Sequence, residues 1–195
     1  GSQTKTLALA LGATPASTSY TTDGAASYAG LINTLSPQSS TTNKQVGGVN
    51  SLRLLSASQA NKLVGMRHVT MYSRTKGLTV ASGTTGAYNV TQYVRSDFTR
   101  LTTVRIVHAV VDLVRSVADK YIGEANNAPA MNSLDAEIGQ TLISLKGQGA
   151  LNSYDYSLSS TPDQRVLGQL DINLTLVPAF EIQTINLVVS LDKGV

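Results

Sequence analysis

The residues best suited to acid–base chemistry are His108 and Asp112, which stand four positions apart. On a helix this spacing places both side chains on one face, where a carboxylate could orient an imidazole that acts as a general base. No G-x-S-x-G nucleophile motif accompanies them, and the chain contains no cysteine. We therefore expect the pair to belong to a stripe of ion-paired side chains along a helix. The charged members of this stripe are Arg105, Asp112, Arg115 and Asp119.

Candidate sites for a metal ion or a phosphate are weaker. The other histidine, His68, lies 40 positions before His108, so the two do not form a His-rich metal site. Glu124 with Asn126-Asn127 offers one carboxylate and two amides, which is a poor cation site and is better explained as a hydrogen-bonded turn. The glycines of segment 83–86 lack the lysine of a phosphate-binding loop. We expect no cofactor, no metal and no catalysis.

The composition is that of a globular chain with an unusually uncharged surface. Hydrophobic residues make up 42% of the 195 positions, which is ordinary, but only 14% are charged against a usual quarter. A net charge of +3 without a run of lysine or arginine is a thin argument for nucleic acid. No apolar stretch approaches the roughly 20 residues that cross a bilayer, and no signal peptide opens the chain. These features predict a soluble protein whose copies repel one another weakly.

The charged stripe identifies the central element of the fold, a long helix over residues 96–122. Many valines in this stretch would by themselves favour a strand. The polar positions from Arg105 to Asp119 are instead spaced 3, 4, 3 and 4 apart, which is one line down a helix and no face of a strand. Apolar residues cover most of the remaining circumference. We expect a sheet, other helices or another protein chain to enclose this helix.

A second, amphipathic helix is predicted after the turn at Pro129. Asn132 or Ser133 is its expected N-cap, with acidic residues in the first turn, and Lys146-Gly147 ends it. One face of this helix is apolar. Its members are Leu134, Ile138, Leu142 and Leu145.

Alternation of apolar and polar residues predicts a hairpin over 68–81, with its turn at Lys76-Gly77, and three later strands. The later strands cover residues 154–159, 171–176 and 184–191, and each has one apolar face. Pro178 interrupts the run between the last two, so they need not be neighbours in a sheet. The expected fold class is α/β, with a mixed β-sheet flanked by two main helices.

The chain is predicted to divide into an N-terminal segment over residues 1–50 and a domain over 51–195. In the segment, the apolar run at 5–11 suits a strand, and Asp23 would cap a helix that ends near Ser36-Pro37. A polar, glycine-bearing connection follows. A short helix over 56–63, capped by Ser56 or Ser58, opens the domain.

Four strings, in this order, resemble signatures of the C-terminal domain of contractile phage tail sheath proteins. TTNK at 41–44 is similar to a Pro-Thr-Asn-Lys loop, and FTRLTTVRIVH at 98–108 to the start of a long helix. YIGEANN at 121–127 is similar to an FIGEPNN turn, although Tyr121 and Ala125 replace the usual residues. LGQLDINLTLVPAFEI at 167–182 resembles the penultimate strand and the start of the last one. The resemblance covers residues 25–191, in a chain shorter than typical members, without their outer domains and N-terminal arm.

The resemblance implies a structural subunit and not an enzyme. Sheath subunits stack as a helical lattice around a tail tube, and contraction of the lattice drives the tube through a target cell envelope. The implied partners are identical sheath subunits, the tail tube protein, and the baseplate and tail terminator proteins, with no nucleic acid and no membrane. The implied location is the virion tail, assembled in the cytoplasm of the host bacterium.

The resemblance also implies that terminal arms tie neighbours together by adding strands to an adjacent subunit's sheet. The last predicted strand suits this task, although it could equally complete the sheet of its own domain. Its candidate contact residues are Ile182, Ile185, Leu187, Val189 and Leu191. The stripe residues Arg105, Asp112, Arg115 and Asp119 are candidates for charges that face the tube or a neighbouring subunit.

The alternative function is a non-catalytic, β-rich module that binds nucleic acid or glycan. A hydrolase is the third option, and it requires a pocket that unites a histidine with a nucleophile.

Overall fold

The computed structural model describes residues 24–47, 49, 55–75, 77–87, 97–183 and 185–188. The strand predicted at 5–11 and the Asp23 cap lie outside these residues. Short 3-10 helices at Asp97–Thr99 and Asp119–Tyr121 precede and follow the longer central helix. The principal elements are α1 (Gly24–Thr34), α2 (Ala57–Gly65), β1 (Met71–Arg74), β2 (Gly77–Val80), α3 (Leu101–Ala118), α4 (Ala128–Gly147), β3 (Leu151–Ser159), α5 (Pro162–Val166) and β4 (Asp171–Pro178).

β1 and β2 form the predicted antiparallel hairpin, with Arg74 opposite Gly77. Gly77 has a φ of 113°, a turn conformation that favours glycine. Residues 43–46 run along the other side of β2, and the Asn43 N–H donates to the Val80 carbonyl over 2.9 Å. The small apolar core of this part of the molecule consists of Val46, Met71, Leu78 and Val80. Residues on both sides of position 50 therefore share this core, and the division at that position remains a prediction.

Helix α2 confirms the prediction of a short helix capped by Ser56. The Gln59 N–H donates to Ser56 Oγ over 3.3 Å, and the Ser56 N–H donates back to Gln59 Oε1 over 3.0 Å. This reciprocal pair is a capping box, which satisfies two backbone donors at the start of the helix.

Helix α3 confirms the helical interpretation of the valine-rich stretch, but it is shorter than the predicted 96–122. The chain is extended at Arg100, with φ −107° and ψ 129°, and this residue forms an isolated antiparallel bridge with Thr84. The bridge delays the start of the helix to Leu101. The buried side of α3 carries Thr102, Thr103, Ile106, Val110 and Val114.

The predicted N-cap of the second helix is wrong. α4 begins at Ala128, and Asn127 caps it by accepting a hydrogen bond on Oδ1 from the Ala130 N–H over 3.0 Å. Pro129 stands inside the first turn, where its missing N–H costs nothing. The predicted apolar face is confirmed, since its four members are all buried. These are Leu134, Ile138, Leu142 and Leu145.

β3 and β4 form a second antiparallel pair, which packs its half-buried apolar face on α3 and α4. The α/β class is confirmed, with one difference in the sheet. The strands that the structure describes form two separate two-stranded antiparallel sheets and not one mixed sheet. The predicted third late strand also differs from the structure, because residues 181–183 and 185–188 are not in strand conformation.

Among the described helices, none is both long enough and apolar enough to cross a membrane.

Candidate inter-subunit interface

The C-terminal segment is anchored to the domain as far as Glu181. The Ala179 N–H donates to the Ala150 carbonyl over 3.0 Å, which fixes the chain just after β4. Glu181 Oε2 then accepts a hydrogen bond over 2.8 Å from Thr102 Oγ1, and Arg100 Nη1 donates to the Glu181 carbonyl over 3.3 Å. Thr102 is only 3% exposed, so the anchor lies against the buried start of α3. The sequence offered no signal for this contact, because it joins positions 79 residues apart.

The described large apolar side chains beyond Glu181 are exposed to solvent. Ile182 is 81% exposed, Ile185 82%, Leu187 83% and Val188 87%. Large apolar side chains in a folded domain are usually among its most buried residues. Three of the five residues that we predicted for an inter-subunit strand are thus seen, and all three are open to solvent. Val189 and Leu191 lie outside the described residues.

The β3–β4 sheet has the features of an acceptor for an added strand. Its two strands pair with each other, and no further strand of the described chain pairs with either outer edge. Edges of this kind present rows of unpaired N–H and C=O groups. The apolar side chains on its inner face are only half-buried, because two strands do not cover two helices. These are Tyr154, Tyr156, Leu158, Ile172, Leu174 and Leu176.

Further apolar side chains are exposed on the helices. Val111 and Leu113 of α3 are 43% and 44% exposed, and Ile143 of α4 is 56% exposed. Leu113 lines an open groove of about 390 Å³ between the two helices, together with polar residues of α4 such as Gln140 and Ser144. The domain therefore does not enclose α3 on all sides, which was one of the outcomes that the sequence left open.

Arg105 does not take part in the predicted ion-pair stripe. Its Nη2 donates to the carbonyls of Leu35 and Ile32 over 2.7 and 3.1 Å. Its Nη1 donates to the carbonyls of Ser36 and Ser39 over 3.2 and 3.4 Å. The guanidinium thereby ties the last turn of α1, at Ile32, to the connection that follows it. The carbonyls of Ile32 and Ser36 also accept from the backbone N–H groups of Leu35 and Ser39. The fork of five donors makes arginine the residue suited to this task.

The other stripe residues, Asp112, Arg115 and Asp119, are exposed on α3 and the 3-10 turn that follows it. The predicted ion pairs among them are wrong, since the ion pair found in the described chain joins Lys120 Nζ and Glu137 Oε2 over 3.0 Å. Their role as charges that face a tube or a neighbour stays a prediction. His108 is also exposed, four residues before Asp112.

Titratable groups with shifted pKa values mark contacts between elements. Hydrogen bonds from Lys120 and from the Tyr121 hydroxyl lower the pKa of Glu137 on α4. Burial raises the pKa of the Tyr28 hydroxyl on α1, against opposing effects of its hydrogen bond with Thr41 and of the Arg105 charge. Both sites join a helix to the rest of the domain. In the residues that the structure describes, no three His, Asp or Glu side chains converge as metal ligands.

Two of the strings that carry the family resemblance form ordered connections. In the first, the buried Thr41 Oγ1 forms a hydrogen bond of 3.0 Å with the Tyr28 hydroxyl. Thr42 Oγ1 accepts a hydrogen bond from the Gly83 N–H, also over 3.0 Å. In the second, residues 122–127 form an exposed turn in which Gly123 has a φ of 92°. This turn and the start of α4 border a cavity of about 310 Å³ whose other wall is β4 and the residues just before it.

No protein-family model matches the sequence, and no curated protein matches it. Solved structures do match the fold. Against the helical sheath of the anti-feeding prophage in its contracted state, the TM-score is 0.75 at 16% identity, over 94% of this chain and 54% of that one. Against the contracted PVC sheath of an extracellular contractile injection system, it is 0.70 at 19% identity, over 86% and 49%.

A sheath tail protein from Listeria innocua also matches, with a TM-score of 0.64 at 12% identity, over 79% of this chain and 38% of that one. The chain thus spans about half or less of the length of these three proteins. The matches confirm, at the level of the fold, the resemblance that the four strings carry: the chain has the fold of contractile tail sheath proteins.

Proposed function

We propose that this chain is a structural, non-catalytic subunit of a contractile sheath, and that its C-terminal segment joins it to identical neighbours. The observation that carries the proposal is the exposed apolar run after Glu181, beside a β3–β4 sheet to which the described residues add no third strand. The sheath fold supports the same role. In this proposal the polymer is helical, surrounds a tail tube and contracts to drive the tube through a cell envelope.

Addition of a strand suits an assembly that must move without separating. Ladder hydrogen bonds hold the two chains together, while alternate side chains fix the register. A segment of ten residues, 182–191, reaches about 33 Å when extended. That length allows the attached subunit to rotate while its arm remains paired.

The apolar side chains decide whether the segment binds. Each ladder hydrogen bond contributes a net of about 0.5–1.5 kcal/mol, while ordering one residue costs about 1–2 kcal/mol. The ladder alone therefore does little more than offset the loss of backbone entropy. Burial of each Ile, Leu or Val contributes about 1.5–3 kcal/mol more. The half-buried face of β3–β4 is where this burial takes place.

The anchor at Glu181 sets where the segment begins. Glu181 is held at the start of α3 by Thr102 and Arg100, so the residues that follow begin at the helix layer. Pro178, at the end of β4, further separates the segment from the strand before it. A neighbour's sheet is the partner that this geometry favours.

The test is to place charges on one face of the segment. The variant Ile185→Lys/Leu187→Lys should lose self-association, because the two ammonium groups would have to be buried in a neighbour. The matched control, Asn186→Lys/Val188→Lys, adds the same charge to the opposite face and should still associate. Sedimentation velocity over a concentration series measures the association, and negative-stain electron microscopy detects tubes. Equal association of the two variants would contradict the proposal.

The folded state provides a second control. All four positions are exposed in the isolated domain, so neither variant should change the free energy of unfolding by more than about 0.5 kcal/mol. Loss of association with an unchanged urea midpoint would locate the effect between subunits.

A further inference from the structure

Charge is distributed unevenly along the chain. Between Gly24 and Ser96 there are seven lysines and arginines and no aspartate or glutamate. From Asp97 to the C-terminus there are seven basic and eleven acidic residues. The described residues of the first stretch, among them Lys44, Lys62, Arg67 and Arg74, form the body around the β1–β2 hairpin, and those of the second form the α3–α4 layer with its sheet. One half of the molecule is therefore basic and the other acidic.

The basic half contains a polar cavity of about 320 Å³ beside the hairpin turn. Its lining consists of Asn43, Gln45, Arg74, Thr75 and Thr79. The Arg74 guanidinium lies 4.7 Å from the centroid of the Tyr72 ring, and the Tyr72 hydroxyl donates to Asn43 Oδ1 over 3.4 Å. Both contacts hold donors of the cavity in place before anything binds. No acidic side chain of the described residues pairs with Arg74.

The lining suits a carboxylate. Arginine presents planar pairs of donors that match the two oxygens of a carboxylate. Asn43 has committed its oxygen to Tyr72, so the amide hydrogens remain available on the cavity side of the network. Gln45 lies over Gly77, where a Cβ would come within 2.6 Å of its Nε2. The cavity thus combines one fixed positive charge with neutral donors and no negative charge.

The acidic half contains an exposed turn that follows the C-terminal end of α3. This helix is about 27 Å long. Residues 122–127 of this turn are all exposed, and Ile122 is 78% exposed. Glu124 has no hydrogen bond or ion pair to its carboxylate within the described chain, in contrast to Glu137, which is paired with Lys120. A hydrogen bond of 3.4 Å from Asn126 to Ser160 joins the turn to the β3–β4 connection. That connection contributes two more exposed acids, Asp163 and Asp171, and one exposed base, Arg165.

We infer that the Arg74 cavity of one copy receives the Glu124 turn of a second copy, in a head-to-tail contact separate from the C-terminal segment. This inference rests on the proposed self-assembly of the chain, and it names a second surface through which assembly occurs. The two surfaces differ and lie at opposite ends, so the contact leaves a free cavity and a free turn at its two ends. Contacts of this type form rings when the rotation between copies closes and open helical polymers when it does not.

The occupant is a second copy because the complementary charge lies on the same chain. A net charge of only +3 allows copies to approach, whereas the separation of charge favours alignment of unlike ends. The two surfaces also coincide with the strings TTNK and YIGEANN, which contribute Asn43 and Glu124. In the inferred contact, these two connections bind each other across two copies of the chain.

Charge reversal tests the pairing. Arg74→Glu alone and Glu124→Arg alone should each weaken self-association of the full chain by roughly 10-fold or more at low salt, because each places like charges in contact. An equimolar mixture of the two variants should restore association, since each cavity then meets a turn of opposite charge. Raising the salt concentration should weaken the unaltered contact and relieve the defects. Failure of the mixture to exceed the single variants would overturn the inference.

Cross-linking tests the geometry. The chain has no cysteine, so Thr75→Cys/Ala125→Cys introduces one thiol at the cavity and one at the turn. Mild oxidation should give a ladder of disulfide-linked oligomers. The control, Thr75→Cys/Ser157→Cys, moves the second thiol to the outer face of β3 and should not give the ladder. Ladders from both variants, or from neither, would overturn the inference.

The two assembly surfaces fail in distinguishable ways. If Ile185→Lys/Leu187→Lys abolishes association while Arg74→Glu has no effect, the result supports the proposed role of the C-terminal segment and contradicts the head-to-tail contact. If Arg74→Glu weakens association while the segment variant behaves like its control, the result supports the head-to-tail contact and contradicts the proposed role of the segment. Arg74→Lys, which keeps the charge but not the planar fork, should lose less association than Arg74→Glu.

Discussion

At the scale of single residues, the largest difference from the sequence-based expectation is Arg105. Its position in a run of charges spaced three and four apart favoured ion pairs along α3. The structure instead directs its guanidinium to four backbone carbonyls of the 32–39 connection. Sequence spacing identified the correct helix, but it could not reveal that the carbonyls of residues 32–39 lie beside Arg105.

Replacement of Arg105 should therefore loosen the attachment of α1. Arg105→Met should lower the free energy of unfolding by about 1–3 kcal/mol, because it removes four hydrogen bonds and leaves the half-buried Leu35 and Ser39 carbonyls without this donor. Arg115→Met, which truncates an exposed arginine on the same helix, should change it by less than about 0.5 kcal/mol. Urea denaturation measures both. Equal effects of the two substitutions would assign the stability to helix composition and not to the carbonyl contacts.

At the scale of elements, the periodicity of apolar residues predicted which segments form helices and strands, but not where these elements end. The β1–β2 hairpin, the long helix and the apolar face of α4 all follow from alternation or from spacing by three and four. The ends of these elements depend on local competition. Pro129 favoured a loop, yet proline fits the first turn of a helix, and Asn127 was available to cap it. Pairing between strands distant in sequence was equally beyond the pattern, which is why one mixed sheet was expected where two small sheets form.

The cap of α4 can be tested directly. Asn127→Ala should destabilise the protein by about 1 kcal/mol, because the Ala130 N–H loses its acceptor. Ser133→Ala, at one of the two positions that the sequence favoured as the cap, should have almost no effect, since that residue is exposed inside the helix. Thermal unfolding followed by circular dichroism measures the two shifts. A larger loss for Ser133→Ala would contradict the assignment.

At the scale of the whole molecule, three features of the domain favour contact between copies. It has a β3–β4 sheet to which no other described strand is added, an exposed apolar segment and an uneven distribution of charge. The sequence predicted the segment by its composition and by its resemblance to sheath proteins. It left open whether the segment stays in its own sheet, since that choice depends on the Glu181 anchor, a contact between residues far apart in the chain. In the proposed assembly, the exposed segment of one copy covers the half-buried sheet of another.

Hydrogen–deuterium exchange over residues 182–191, compared at low and high protein concentration, tests the exchange of this segment between copies most directly. The amides should exchange rapidly in the monomer and become strongly protected on assembly, together with amides on an outer edge of β3 or β4. Assembled protein in which these amides still exchange as fast as in the monomer would contradict the account.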